Sequence, residues 1–256
     1  MQHTSPRVNI LGVRINAISL SEAVGEMASW IDSRSRHYVN ICTVHTVMEC
    51  NQNPTLRNIV NNSGISTPDG MPLVWLCRYH GYSYVTRVYG PDLMLALCRH
   101  SISRGYKHFF YGGADGVAQE LAIELEKRYP GLQVTGTHSP PFSEAGEMED
   151  PEVIERINST TPDVVWVGLG TPKQDYWVAR HRPYLNASVL IAVGAAFDFH
   201  TGRVKQAPEW MMRTGLEWLF RFCMEPRRLW RRYLYNNPRF LGLIAMQLLK
   251  LRDFKG

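Results

Sequence analysis

In the stretch TPDGMPLVW, residues 67 to 75, a single carboxylate, Asp69, stands between a proline and a glycine just ahead of a largely apolar run. Pro68 fixes its own φ and biases Thr67 toward extended geometry, while Gly70 supplies a flexible backbone. The segment therefore reads as a strand end turning sharply into a helix. An Asp at such a turn suits a helix N-cap, with Pro72 in the first turn. From these residue types the cap is the favoured role, and whether the acid does more depends on the rest of the chain.

Other candidates follow apolar runs in the same way. Gly112 and Gly113 lie in GGADG after HFFY, and Gly168 and Gly170 in GLGTPKQD after DVVWV. Backbone N–H groups and a helix dipole at such turns hold phosphate, although glycine there is as often a steric necessity. Neither run matches G-x-G-x-x-G, since position 173 is Lys, and no G-K-[ST] is present. Thr171, Pro172 and Gln174 form a T-x-x-Q capping box, which gives Gln174 a structural use beside any ligand. Thr43 and His45 in ICTVHTV face a ligand or start a helix, and Asp198 lies between two phenylalanines in VGAAFDFHTG. No D-x-D occurs and the histidines show no paired ligand spacing, so no metal site is expected; G-x-S-x-G is absent as well.

The elements that must position these groups are an α/β alternation. RVNILGVRI, YVNICTV, HFFYGG, QVTGTH, DVVWVGLG and SVLIAVG read as strands, several of them nearly continuous in apolar residues. LSEAVGEMASWI, PDLMLALCRHSI, DGVAQELAIELEKRY and PKQDYWVARHR carry helical periodicity between them. Continuous apolar strands separated by helices predict a mostly parallel sheet covered on both faces, with ligands bound beyond the carboxyl ends of its strands. The long irregular stretch SPPFSEAGEMEDPE reads as a loop whose acids form a solvated lip.

The 256 residues are 45% hydrophobic and 20% charged, which excludes a disordered chain. Cys42, Cys50, Cys77, Cys98 and Cys223 have no C-x-x-C spacing and are expected as buried, reduced thiols. No signal peptide or bilayer-spanning run is read, so a cytoplasmic location, free or at the inner membrane face, is expected. The net charge of +5 is uneven. Residues 203 to 256 carry 12 Lys and Arg against 4 Asp and Glu, so an anionic partner is expected there.

That basic end divides at Pro208, Pro226 and Pro238 into three expected helices. In PRRLWRRYLY, Arg227, Arg228, Arg231 and Arg232 are expected on one face and Leu229, Trp230, Tyr233 and Leu234 on the other, with a final apolar run from Phe240 to Met246. Basic residues with interfacial aromatics favour an anionic membrane surface, with Trp230 and the four arginines as its contacts, over plain packing and over nucleic acid.

TPDGMPLVW, RVYGPDLM, FFYGGADGVAQELAIELEKRYPGLQVTGTH, GLGTPKQDYW and VGAAFDFHTGRVKQAPEWMMRTGLEWLFRFCMEPRRLWRRY, in this order, resemble the WecG/TagA/CpsF glycosyltransferases. The resemblance implies a Rossmann-like domain, residues 1 to 202, and a helical appendage, residues 203 to 256, that binds membrane and completes the active site. It implies inverting transfer from a UDP-sugar to a polyprenyl-diphosphate-linked acceptor in bacterial polysaccharide or wall-polymer assembly, with no metal or other cofactor. By position it makes Asp69 the base, Arg87 a required arginine, Gln174 an active-site glutamine, Asp198 a donor-site acid and Arg221 an appendage arginine near the diphosphate. Thr43 and His45 match a T-x-N pair in which His replaces Asn. A nucleotide-binding, membrane-peripheral protein without transferase activity is the alternative. The sugar, the acceptor glycan and any homo-oligomer are left open.

Overall fold

A computed structural model describes residues 5–140 and 151–255. Most of SPPFSEAGEMEDPE, and with it the expected acidic lip, lies outside the described residues.

RVNILGVRI is two strands where one was expected. β1 (Arg7–Ile10) and β2 (Val13–Asn16) pair antiparallel through Leu11 and Gly12, whose φ values of 52° and 88° make the tight turn that a continuous strand reading misses. This hairpin is a sheet of its own. The helix α1 (Leu20–Asp32) follows, with a Ser19–Glu22 capping box.

The main sheet contains β3 (His37–Cys42), β4 (Ile65–Pro68), β5 (Lys107–Gly112), β6 (Gln133–His138), β7 (Val164–Gly168) and β8 (Val189–Ala192). All pairings are parallel, in the order β4-β3-β8-β7-β5-β6. The fold is the expected α/β, Rossmann-like one. The hairpin strand β2 lies against β4, and α2 (Val44–Gln52), α3 (Pro54–Asn61) and α4 (Met71–Tyr79) pack with the hairpin in one core; α5 (Gly90–Ile102), α6 (Val117–Arg128), α7 (Pro151–Ser159) and α8 (Lys173–His181) cover the faces of the sheet. One face of the sheet packs Phe110, Trp166 and Ile191 against α1, α5 and α6; the other packs Phe109, Val165 and Leu190 against α7 and α8.

After β8 come α9 (Ala196–His200), α10 (Glu209–Arg213), α11 (Glu217–Met224), α12 (Pro226–Trp230), a π-helical turn (Arg231–Tyr235) and α13 (Asn236–Leu248). Pro208 and Pro226 stand at helix starts, as expected, but Pro238 divides nothing and lies inside the first turn of α13. Proline lacks an N–H and crowds the carbonyl four residues back. The wider turn just before it removes that conflict. α13 returns to the hairpin, where Phe240, Ile244 and Phe254 join Val47, Leu56 and Leu73 in a further core. Each such side chain contributes roughly 1.5–3 kcal/mol of burial. Cys42, Cys50, Cys77 and Cys98 are buried, while Cys223 is exposed, because no residue of α11 is fully buried.

Candidate active site

Asp69 follows β4, and two backbone links fix its place. Its N–H donates to the Cys42 carbonyl, and the Val88 N–H donates to the Pro68 carbonyl while Thr67 Oγ1 donates to that of Val88. These bonds bring residues 85–89 alongside the strand end, so Arg87 Nε donates to Asp69 Oδ1 at 2.9 Å. Asp69 does not cap α4. Gly70 holds the cap position with φ 100°, and the carboxylate is turned to Arg87 instead. Arg87 Nη2 also lies 2.6 Å from Glu217 Oε2 at the start of α11. Burial works against the Arg87 charge, but Asp69 and Glu217 outweigh it and its pKa is raised.

These residues line a cavity of about 400 Å3 together with Thr43, His45, Gly70, Tyr89, Arg221 and Arg232. Its mouth is apolar, with Met71, Trp75, Met212 and Leu241. Burial pushes the Asp69 carboxyl up to about 6; Arg87 and Arg221 oppose that rise and Glu217 adds to it. Thr43 caps α2 through a box with Thr46, which seats His45 in the first turn of that helix. Burial and the neighbouring Arg232 push His45 down to about 3, so the imidazole is neutral near pH 7. Its Nδ1 makes no hydrogen bond and stands 3.6 Å from Glu49.

Arg232 is a correction. It was expected on an exposed membrane face with Arg227, Arg228 and Arg231, which are indeed exposed, as is Trp230. Leu229 and Tyr233 form the buried seam of this segment, and Tyr233, Asn237 and Leu241, spaced by four, carry one helix face along the cavity. Arg232 flanks that face and turns inward; burial lowers its pKa. The Nε atoms of Arg221 and Arg232 are buried without a hydrogen-bond partner, and neither residue pairs with a carboxylate among the described residues. Arg221 lies over the Phe199 ring at 5.6 Å.

The remaining candidates lie on the same rim but outside this cavity's lining. Gly112 and Gly168 face each other across β5 and β7; a Cβ on Gly112 would stand 2.6 Å from the Gly168 carbonyl oxygen. A Cβ on Gly113 would meet Val117 at 2.7 Å, and one on Gly168 would meet the Phe197 ring at 2.9 Å. Close packing accounts for these three glycines. Gly170, with φ 77°, has open space where a Cβ would be. The expected Thr171–Gln174 box is absent: Pro172 holds the cap position without a side-chain bond, and Gln174 Oε1 accepts from the Gly170 N–H at 3.0 Å. Gln174 is buried beside Gly194, between the ends of β7 and β8. Asp198 is half-buried on α9; burial raises its pKa, against the pull of Arg203, Arg228 and Arg221.

Sequence reasoning missed Glu217, Tyr89 and the inward Arg232. The i, i+4 spacing of Glu217 and Arg221 in GLEWLFRF was the available signal for the first, since it places both on one helix face. Among the described residues no three His, Cys, Asp or Glu side chains converge as a metal site, and no helix is long and apolar enough to cross a membrane.

The fold and the site define a Rossmann-like α/β protein whose sheet rim carries a cavity lined by a buried carboxyl, Asp69, and by arginines from the rim and from the C-terminal segment. The chain belongs to the Glycosyl transferase WecG/TagA/CpsF family, whose model matches residues 8–254, and it is a glycosyltransferase. It is 29% identical over 216 residues, 84% of this chain and 81% of the relative, to an N-acetylglucosaminyldiphosphoundecaprenol N-acetyl-beta-D-mannosaminyltransferase of Bacillus spizizenii. It is 25% identical over 251 residues, 97% of this chain and 96% of the relative, to a protein of the same name from Staphylococcus aureus strain MW2.

Proposed function

We propose that this glycosyltransferase moves a sugar from a UDP-sugar to an acceptor carried on a polyprenyl diphosphate, by a single inverting displacement without a metal ion, in bacterial polysaccharide or cell-wall polymer assembly. The observation that carries the reading is one cavity that holds a buried carboxyl, pushed up to about 6, beside two guanidinium groups that pair with no carboxylate among the described residues. The relatives' names favour an N-acetylmannosamine donor and an N-acetylglucosaminyl-diphosphate lipid acceptor.

In the step itself the acceptor oxygen attacks the anomeric carbon from the face opposite the UDP oxygen. The new C–O bond forms as the bond to UDP breaks, the electron pair leaves with UDP, and the hydroxyl proton passes to Asp69. A diester diphosphate carries about two negative charges, which Arg221 and Arg232 match. The charge that grows on the leaving group is met by preoriented donors. Arg87 holds Asp69 in place. Neutral His45 and Thr43 supply hydrogen bonds to the sugar, while Gly170, Gln174 and Asp198 form the donor side of the rim.

Arg227, Arg228, Arg231 and Trp230, with Leu234 and Tyr235 also exposed, form the face proposed to lie on the anionic inner surface of the cell membrane. The apolar mouth near Trp75 and Leu241 suits the lipid end of the acceptor.

The test is product mass spectrometry with UDP-N-acetylmannosamine, its uronic acid or UDP-glucose, each with undecaprenyl-diphosphate N-acetylglucosamine, in the presence and absence of excess EDTA. Product with at least one donor, formed equally in EDTA, is expected. No transfer from any donor overturns the substrate reading, and loss of product in EDTA overturns metal independence.

A further inference from the structure

α11 lacks what normally fixes a helix in place. None of its residues is fully buried, and Leu219 and Cys223 face solvent. Just before it, Gly215 (φ 77°) rests on Met71 and Trp75, where an added Cβ would stand 3.1–3.2 Å from their side chains. An acid in a first helical turn ordinarily faces water and the helix dipole. Glu217 instead turns inward, its side chain 14% exposed, with Oε2 2.6 Å from Arg87 Nη2. Arg221, one turn further along the same face, is thereby held at the cavity.

We propose that Glu217 is a positioning residue that couples docking of the C-terminal segment to the catalytic base, by sharing Arg87 with Asp69 and by setting the place of Arg221. Arg87 is the joint: one edge of its guanidinium serves the strand rim and the other the appendage. With the segment displaced, Arg87 would keep Asp69 as its hydrogen-bonded carboxylate, with Asp92 of α5 as the other acid in its field, which favours the ionised Asp69 and makes it a weaker base. With the segment docked, Glu217 draws on the same cation and its own negative charge lies near Asp69. The base strengthens as the arginine arrives that receives the leaving group's charge.

The groups facing Asp69 come from several elements. Arg87 and Tyr89 belong to the segment before α5 and to its cap; Glu217 and Arg221 come from α11; Arg232 comes from the π-helical turn. Cys42 of β3 and His45 of α2 complete the set, the thiol held neutral by burial and the imidazole neutral near pH 7. Among the described residues lining the cavity, Glu217 is the one carboxylate besides Asp69. No other single substitution there removes an anion from the neighbourhood of the base while leaving the base itself.

The inference rests on the reading of Asp69 as the base, and the experiment separates the two. Release of UDP is followed from pH 5 to 9, with saturating UDP-N-acetylmannosamine and undecaprenyl-diphosphate N-acetylglucosamine, for the wild type, Asp69→Asn, Glu217→Gln, Glu217→Asp and Arg221→Ala, each checked by thermal melting. Glu217→Gln keeps the shape and removes the charge. It should lower kcat on the order of tenfold, with KM for the donor changed less, and move the acid limb of kcat to lower pH. Glu217→Asp, with the carboxylate withdrawn from Arg87, should shift both in the same direction by less. Arg221→Ala, which removes a cation, should move the limb upward. Wild-type kcat and an unmoved acid limb in a folded Glu217→Gln or Glu217→Asp overturn the proposal. So does a loss of kcat with no movement of the limb in both, which marks a helix-packing role. An Asp69→Asn enzyme that keeps wild-type turnover overturns the base reading itself.

Discussion

Arg87 Nε donates to Asp69 Oδ1 across 2.9 Å, and the two residues, 18 apart in sequence, meet because the neighbouring Val88 is bonded to the end of β4. The pair stands at the carboxyl edge of the sheet, and Glu217 of the C-terminal segment closes on its far side. Asp69, Arg87 and α11 thus form one contiguous unit.

Replacing Asp69 tests the base directly. Since Gly70 rather than Asp69 caps α4, and Arg87 keeps Glu217 as a partner, Asp69→Asn should fold. Its kcat should fall by roughly two to four orders of magnitude, the usual worth of a general base. A folded Asp69→Asn with unchanged kcat removes the assignment.

The pH dependence follows from the same carboxyl. Asp69 must be ionised to accept a proton, so kcat should rise with pH along an acid limb near 6. Stability runs the other way. The folded protein holds this proton more tightly than the unfolded chain, so the Asp69 contribution is present below about pH 4 and is lost as pH rises through about 6. The melting temperature of Asp69→Asn should therefore gain on that of the wild type between pH 4 and pH 7, as calorimetry over that range would show.

Arg232 and its exposed neighbours should separate by function. Arg232→Ala should reduce kcat on the order of a hundredfold with flotation on anionic liposomes unchanged. Joint replacement of Arg227, Arg228 and Arg231 by Ala should weaken flotation, each basic residue near an anionic surface being worth about 1 kcal/mol, with the loss mimicked by high salt in the wild type. Equal flotation of the triple variant and the wild type would put the membrane contact elsewhere.

Gly112→Ala should act on stability. The new Cβ would stand 2.6 Å from the Gly168 carbonyl at a φ of 122°, and overpacking of this kind costs about 1–3 kcal/mol. A lowered melting temperature with donor KM nearly unchanged is expected; the reverse pattern would make Gly112 a ligand contact.

Much of this molecule was legible in the sequence. The apolar runs at β3, β5, β7 and β8 and the amphipathic stretches between them determine a parallel covered sheet, because a strand buried on both faces admits hardly any polar residue. The Pro-Asp-Gly turn and the other strand ends marked the rim, where local backbone chemistry is strong. Tertiary structure decided what each side chain met there. Asp69 looked like a cap until Arg87 was brought to it by bonds to the end of β4. Gly112 and Gly168 looked like a phosphate cradle until register set them face to face under Phe197. Arg232 shared a charge pattern with three neighbours, yet the burial of Leu229 and Tyr233 turned it into the cavity. Periodicity records which face of a helix is apolar, whereas the depth at which the helix docks and the partner each charge finds depend on contacts between distant segments.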